Sequence, residues 1–335
     1  MISVGLIGLG YWGPNYLRIF SQLDGCKMPA CSDLDQKRLD AFKKNHPDIN
    51  FTNDYKTLFD SKLDAVVIAT PTNTHYELAK YALKKGVHVL IEKPLSLSVK
   101  ESEELCAIAK DEKKILMVGH TFLYNQAVHW MKNYIKSGDA GKIHYIHAQR
   151  TNLGPIRRDV NALIDLAPHD ISMLLYFLDS EPIKVSAHGS AFLDPSREDV
   201  AYIDLEFANN TMGHIHVSWL EPRKVRQLTV IGDKKMIHFD DVSASEQVKV
   251  YDKGVTMSKE YKTFKEFQMI IRDGDILLPK IDLNEPLKTE CQSFLECIQK
   301  DQAPLSDGNF GVKVVKVLDA AMRSLRSEGK AVRLS

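Results

Sequence analysis

The chain has 335 residues, 44 basic and 44 acidic side chains, no formal net charge and 44% hydrophobic residues; that length exceeds what one hydrophobic core serves, so two domains are expected. The charge balance, without a long basic block, argues against a nucleic-acid partner, and no apolar run reaches the roughly 18 residues that a membrane helix needs. The start of the chain enters a strand directly, with no basic segment and apolar stretch of signal-peptide type, and Cys26, Cys31, Cys106, Cys291 and Cys297 form no CxxC pair, which together predict a cytoplasmic protein with reduced thiols and no metal site.

Residues Ile2 to Pro14 read ISVGLIGLGYWGP, an apolar run entering Gly8-Leu9-Gly10-Tyr11-Trp12-Gly13 before a helix over 15–22. In a dinucleotide-binding turn the first glycine makes the tight turn, the second admits the pyrophosphate and the third lets helix and strand approach. Pro14 suits the first helical position, and the helix then offers free N–H groups and its positive dipole end to a phosphate. The next apolar strand, 26–31, leads to Asp33, twenty residues past Gly13. A carboxylate there accepts from the adenosine ribose hydroxyls and repels a 2′-phosphate, which predicts NAD over NADP. Asp33 also reads as an N-cap for a helix over 35–44.

The run Asp64–Thr70 predicts a buried parallel strand, followed by Pro71-Thr-Asn-Thr-His75 and a helix over 76–85 that Gly86 closes. A strand over 87–91 runs into Glu92-Lys93-Pro94, Ser98 and Glu101 form a capping box for a helix over 99–113, and 115–118 is one more strand. Alternating strands and helices predict a parallel sheet that binds ligands at its carboxyl ends. Gly8–Gly13, Asp33, Thr70, Pro71, His75 and Glu92–Pro94 all fall at such ends. Lys93 is the first chemical candidate, because a desolvated lysine near a nicotinamide can hold or pass a substrate proton.

After about residue 122 the pattern changes. A helix over 126–137 precedes extended runs at 143–152, 182–193, 200–208, 211–219, 225–232 and 235–240, with turns at Asn209-Asn210 and Gly232-Asp233. Period-two alternation in Tyr202–Phe207 and His214–Trp219 predicts a mostly antiparallel sheet with one face under helices and one open. Helices are expected again at 286–300 and 308–327, while 253–284 gives no clear pattern.

Arg157, Arg158 and Asn161 lead into Asp165-Leu-Ala-Pro168-His169-Asp170, whose following apolar positions keep a helical period. The expectation puts His169 in the first turn of a helix, where Asp165, four residues earlier, can meet it on one face. A neutral imidazole suits an alcohol proton and a carboxylate fixes its tautomer; taken alone, the same residues also read as a capped helix with a structural histidine.

GLGYWG, the EKP tripeptide and the D-x-x-x-H segment resemble the Gfo/Idh/MocA oxidoreductases over nearly the whole chain. The resemblance implies a Rossmann domain, placed at 1–122, and an α/β domain with an open sheet used for homo-oligomerisation, placed at 123–335. It implies NAD as cofactor, and a Lys–Asp–His catalytic set that falls on Lys93, Asp165 and His169. The cofactor would meet Gly8, Gly10, Tyr11, Trp12, Gly13, Asp33, Thr70, Pro71, His75, Glu92 and Lys93. The run His120-Thr-Phe-Leu-Tyr124-Asn125 and the Arg157-Arg158-Asp-Val-Asn161 segment look like the branch acting on nucleotide-linked amino sugars. That branch adds Tyr124, Asn125, Arg157, Arg158 and Asn161 to Lys93 and His169 as substrate-binding residues, with hydride leaving a sugar carbon, C3. The alternatives within the family are a polyol or inositol dehydrogenase and an NADPH-dependent ketoreductase, which Asp33 disfavours. An NAD-binding sensor would lack an intact Lys–Asp–His set. Tyr-x-x-x-Lys of the short-chain dehydrogenases occurs at Tyr81/Lys85 and Tyr261/Lys265, neither placed after a glycine-rich opening of that type.

Overall fold

The computed structural model describes residues 1–257, 269–282 and 284–334. Residues 1–124 hold β1 (Ile2–Ile7), α1 (Gly13–Phe20), β2 (Cys26–Ser32), α2 (Gln36–Lys43), β3 (Asn50–Thr52), β4 (Ala65–Ile68), α3 (His75–Lys84), β5 (His88–Glu92), α4 (Val99–Asp111) and β6 (Leu116–Gly119). There follow α5 (Gln126–Lys136), β7 (Ile143–Leu153), α6 (Ala162–Leu178), β8 (Pro182–Ser190), β9 (Val200–Phe207), β10 (Met212–Ser218) and β11 (Leu220–Gly232). The chain continues through β12 (Met236–Asp240), β13 (Val248–Met257), β14 (Met269–Leu277), α7 (Pro286–Lys300), α8 (Gly308–Leu325) and β15 (Val332–Arg333). The second half of β13 and all of β14 fall in the stretch 253–284 that the pattern left unread; part of that stretch, and with it the Tyr261/Lys265 pair, lies outside the described residues.

Two compact units form, Met1–Tyr124 with Asn284–Asp319 and Asn125–Leu283 with Ala320–Ser335. The segment Asn284–Asp319, expected with the second domain, therefore groups with the first. In the first unit six parallel strands run in the order β3-β2-β1-β4-β5-β6, so the chain reverses direction across the sheet between β1 and β4, where a doubly wound sheet binds its ligand. Ile7, Val66, Ile68, Val89, Ile91 and Val118 form one buried face against α3, α4 and the start of α8. Leu6, Val67, Leu90 and Met117 alternate with them and are equally buried, as a sheet covered on both faces requires. The late segment is stitched in by hydrogen bonds: Ser306 Oγ donates to the Val118 carbonyl at 2.7 Å, and Thr121 Oγ1 to Glu290 at 2.9 Å.

The second unit has a nine-stranded sheet in the order β14-β13-β12-β11-β7-β10-β9-β8-β15, antiparallel except for the parallel pair β7 and β10. Ile146, Ala148, Leu205, Ile215 and Val217 are fully buried, with Ile171 and Leu174 of α6. The opposite face carries Asp204, His214, His147, Thr229 and His238 in register across β9, β10, β7, β11 and β12. Alternation of this kind is the mark of a sheet covered on one side. Among the described residues no helix is long and apolar enough to cross a membrane, and all five cysteines are free thiols.

Candidate functional site

Every expected cofactor residue of the first unit lies at the carboxyl end of its sheet. Gly8 has φ +97°, and a Cβ there would sit 2.6 Å from the Ala69 carbonyl oxygen. A Cβ on Gly13 would lie 2.0 Å from the Gly8 carbonyl, whereas one on Gly10 would meet nothing within 4 Å. Two glycines are thus required by the protein's own packing, and the third leaves open the space that a pyrophosphate needs. Pro14 takes the first turn of α1. Tyr11 and Trp12 are exposed and meet edge to face at 5.6 Å.

Asp33 does not cap the next helix; Asp35 does, accepting from the Lys37 and Arg38 amides. Freed from capping, the Asp33 carboxylate accepts from the Leu9 amide at 2.7 Å and so ties the end of β2 to the glycine turn. Arg38 Nη1 lies 3.1 Å from Asp33 Oδ2. Helix α2 curls this arginine back onto the carboxylate, a contact that sequence distance did not show.

His75 is fully buried, with Nδ1 2.9 Å from the Pro94 carbonyl oxygen and Nε2 3.0 Å from that of Thr70. It lies between the end of β4 and the Glu92-Lys93-Pro94 turn, with one ring nitrogen turned to each. Thr70 and Thr74 share a hydroxyl–hydroxyl bond of 2.7 Å, and Thr74 bonds the Pro71 carbonyl. Lys93 is 8% exposed, and Glu92 beside it accepts from Tyr16 Oη at 2.9 Å and from the Lys93 amide at 3.2 Å. Glu290 lies buried near Glu92; its own burial, and then that carboxylate, push its pKa well above the usual range.

His120, which opens the His120–Asn125 run, was given no role in the site from sequence. β5 and β6 pair Glu92 with Gly119, so Lys93 and His120 leave the sheet side by side. The imidazole is 1% exposed, and neither ring nitrogen has a hydrogen-bond partner. Burial, reinforced by the Lys93 ammonium, pushes its pKa down to about 3. A neutral imidazole with both nitrogens unmet costs about 1–3 kcal/mol. The only signal in sequence is its place, directly after a strand whose neighbour ends in Lys93.

In the second unit the helix begins earlier than expected. Asn161, not Asp165, is the N-cap of α6, its side chain accepting from the Ile164 amide at 3.0 Å. Asp165 lies in the first turn and His169 a turn further in, with Pro168 inside the helix. The expectation placed His169 in the first turn because the apolar period begins just after it; an asparagine cap upstream starts the helix earlier. Asp165 Oδ2 accepts from Trp219 Nε1 at 3.2 Å, and Oδ1 faces Arg157 Nη1 at 3.1 Å. Arg157 also pairs with Asp159, while Arg158 is exposed.

Three expected substrate residues have structural duties. Tyr124 is buried, its hydroxyl 3.1 Å from Ser306 Oγ. Asn125 caps α5 by accepting from the Ala127 amide, and Asn161 also donates to Glu198 at 2.6 Å. Among the described residues no group of three or more His, Cys, Asp or Glu side chains could hold a metal ion.

Residues 2–120 match the profile of an oxidoreductase family described as the Gfo/Idh/MocA NAD-binding Rossmann fold, and residues 128–238 match the C-terminal domain of the same family. A UDP-N-acetylglucosamine 3-dehydrogenase of Acidithiobacillus ferrooxidans is 27% identical over 76% of this chain and 76% of its own. A myo-inositol 2-dehydrogenase of Thermotoga maritima is also 27% identical, over 99% of this chain and 98% of its own. The crystal structure of the WlbA dehydrogenase of Bordetella pertussis, in complex with NADH and UDP-GlcNAcA, superposes with a TM-score of 0.81 at 20% identity, covering 100% of this chain and 99% of that one. With both of its family domains matched in order, and the glycine turn, Asp33 and Lys93 set at the carboxyl ends of a doubly wound sheet, the chain belongs to the Gfo/Idh/MocA oxidoreductases and is an NAD-dependent enzyme of that family.

Proposed function

We propose that the enzyme oxidises a hydroxyl, at C3, of a nucleotide-linked sugar such as UDP-N-acetylglucosamine or its uronate. The observation that carries this reading is the loop entering α6, on which Arg157 pairs with Asp165 and the adjacent Arg158 is exposed. Arginine's planar fork suits a diphosphate, which a free polyol lacks. Relatives named for UDP-sugar substrates support it.

When bound, NAD supplies the hydride acceptor. In this reading Lys93 hydrogen-bonds the reacting oxygen and stabilises the negative charge that develops on it. His169 takes the hydroxyl proton as general base. Asp165, itself held by Trp219 and Arg157, supports the imidazole from the preceding turn.

A second reading, a polyol dehydrogenase, is favoured by the ion pairs that occupy Arg157 and by the inositol dehydrogenase match over nearly the full chain. Absorbance of NADH with a panel of UDP-sugars and free polyols separates the two: reduction with a UDP-amino sugar is expected, and reduction with inositol alone would transfer the chain to the polyol branch. We also propose that copies of the chain associate through the open face of the second sheet, to be tested by sedimentation.

A further inference from the structure

We propose that Arg150 and Asp170 are positioning residues for His169, a buried clamp that fixes the rotation of α6 at the turn weakened by Pro168. The proposal rests on the reading of His169 as the base. Arg150 projects from β7, the central strand of the second sheet, toward α6. Its Nε lies 2.8 Å from Asp170 Oδ2 and its Nη2 2.9 Å from Oδ1, a two-pronged pair with side chains 4% and 1% exposed.

A buried ion pair is weak evidence for stability, because desolvating two charges consumes most of their attraction, and an apolar pair of similar volume often serves as well. What the pair supplies is direction, since a guanidinium fork and a carboxylate meet in one plane only. Direction is what this helix needs. Pro168 has no amide hydrogen to give the Ile164 carbonyl, so the backbone is least constrained one residue before His169. Side chains hold both flanks: Asp165 is bonded to Trp219 and Arg157 before the proline, and Asp170 to Arg150 after it. Ser172 Oγ adds a bond to the His169 carbonyl at 2.7 Å. A side chain reaches roughly 5–6 Å from the helix axis, so a turn of about 15° moves the imidazole by about 1.5 Å. A displacement of about 1 Å can cost on the order of 100-fold in rate.

The test is the apolar double variant Arg150→Met with Asp170→Leu, together with Arg150→Lys, which keeps the charge but loses the fork. Both are expected to retain NAD affinity by calorimetry and the thermal midpoint to within a few degrees. kcat is expected to fall at least tenfold with KM changed less than threefold in both variants. Should the double variant fail to fold, Arg150→Lys carries the kcat measurement alone. Wild-type kcat in a folded variant would overturn the proposal, as would a kcat loss matched by the loss of folded protein. His169→Asn separates the two layers: if it keeps turnover the base assignment fails, whereas if it is inactive and the clamp variants are normal only the clamp fails.

Discussion

Arg38 Nη1 sits 3.1 and 3.2 Å from the two carboxylate oxygens of Asp33, while Asp33 Oδ2 also holds the Leu9 amide of the glycine turn. The carboxylate proposed to receive the adenosine ribose thus has a cation already docked on it. Asp33→Ser removes the charge that repels a 2′-phosphate and releases Arg38 to meet one. NAD affinity is expected to fall and the ratio of NADP to NAD turnover to rise at least tenfold. Adding Arg38→Ala should remove the NADP gain; unchanged NAD affinity by titration in Asp33→Ser would take the residue out of the ribose site.

Lys93→Met and His169→Asn are each expected to lower kcat by roughly 10²–10⁴ with NAD binding nearly intact. The proposed mechanism, in which both groups serve one proton transfer, expects the double variant to lose far less than the product of the two losses. Near-normal turnover across pH in either single variant would reject its role.

The two arginines before α6 should behave differently. Arg158 is exposed, and Arg158→Ala is expected to raise KM for a UDP-sugar at least tenfold, about 1.4 kcal/mol, with little effect on a free polyol. Arg157 is bonded to Asp165, so Arg157→Ala should lower kcat on both substrate types. A substrate-selective KM effect from Arg157→Ala would show instead that it leaves its carboxylates for phosphate.

Glu290 and His120 make opposite contributions to the pH dependence of stability. Burial and Glu92 raise the Glu290 pKa. Above about pH 4.5 the unfolded chain therefore gives up a proton that the folded one keeps, and stability falls as pH rises. Glu290→Gln, an isostere of the protonated acid, should gain stability over the parent from pH 4.5 upward and show a flat difference below it. His120, held down to about 3, stays neutral while the unfolded chain protonates, so stability falls as pH drops from about 6.5 to about 3. His120→Phe should flatten that limb, with a higher melting temperature throughout. Denaturant midpoints at pH 4, 6 and 8 check both; pH-independent differences would contradict both pKa assignments.

The strands and the glycine turn were legible because their signals are local: apolar runs, glycines in fixed order, a carboxylate at a set distance. The boundary of α6 was misjudged because the apolar period begins only after His169, whereas Asn161, whose cap bond starts the helix, lies upstream of it. The pairing of Arg38 with Asp33 and of Arg157 with Asp165 was hidden, since a charge on a loop or helix face gives no sign of where its long side chain turns. His120 was hidden for the opposite reason, being defined by the partners it lacks. Tyr124 was read as a substrate residue from a motif, but its partner, Ser306, lies far along the chain.

That same distance constrains how the enzyme comes into being. Val312 and Val315 belong to the core beneath β4, β5 and β6, Ser306 bonds Val118 of β6, and Glu290 accepts from Thr121 just past it. During synthesis the cofactor-binding half therefore waits for the chain that follows it, on the order of ten seconds or more at ribosomal rates. In that interval one apolar face of the sheet lacks Val312 and Val315, and a gene fragment stopping at codon 124 would encode that face without them.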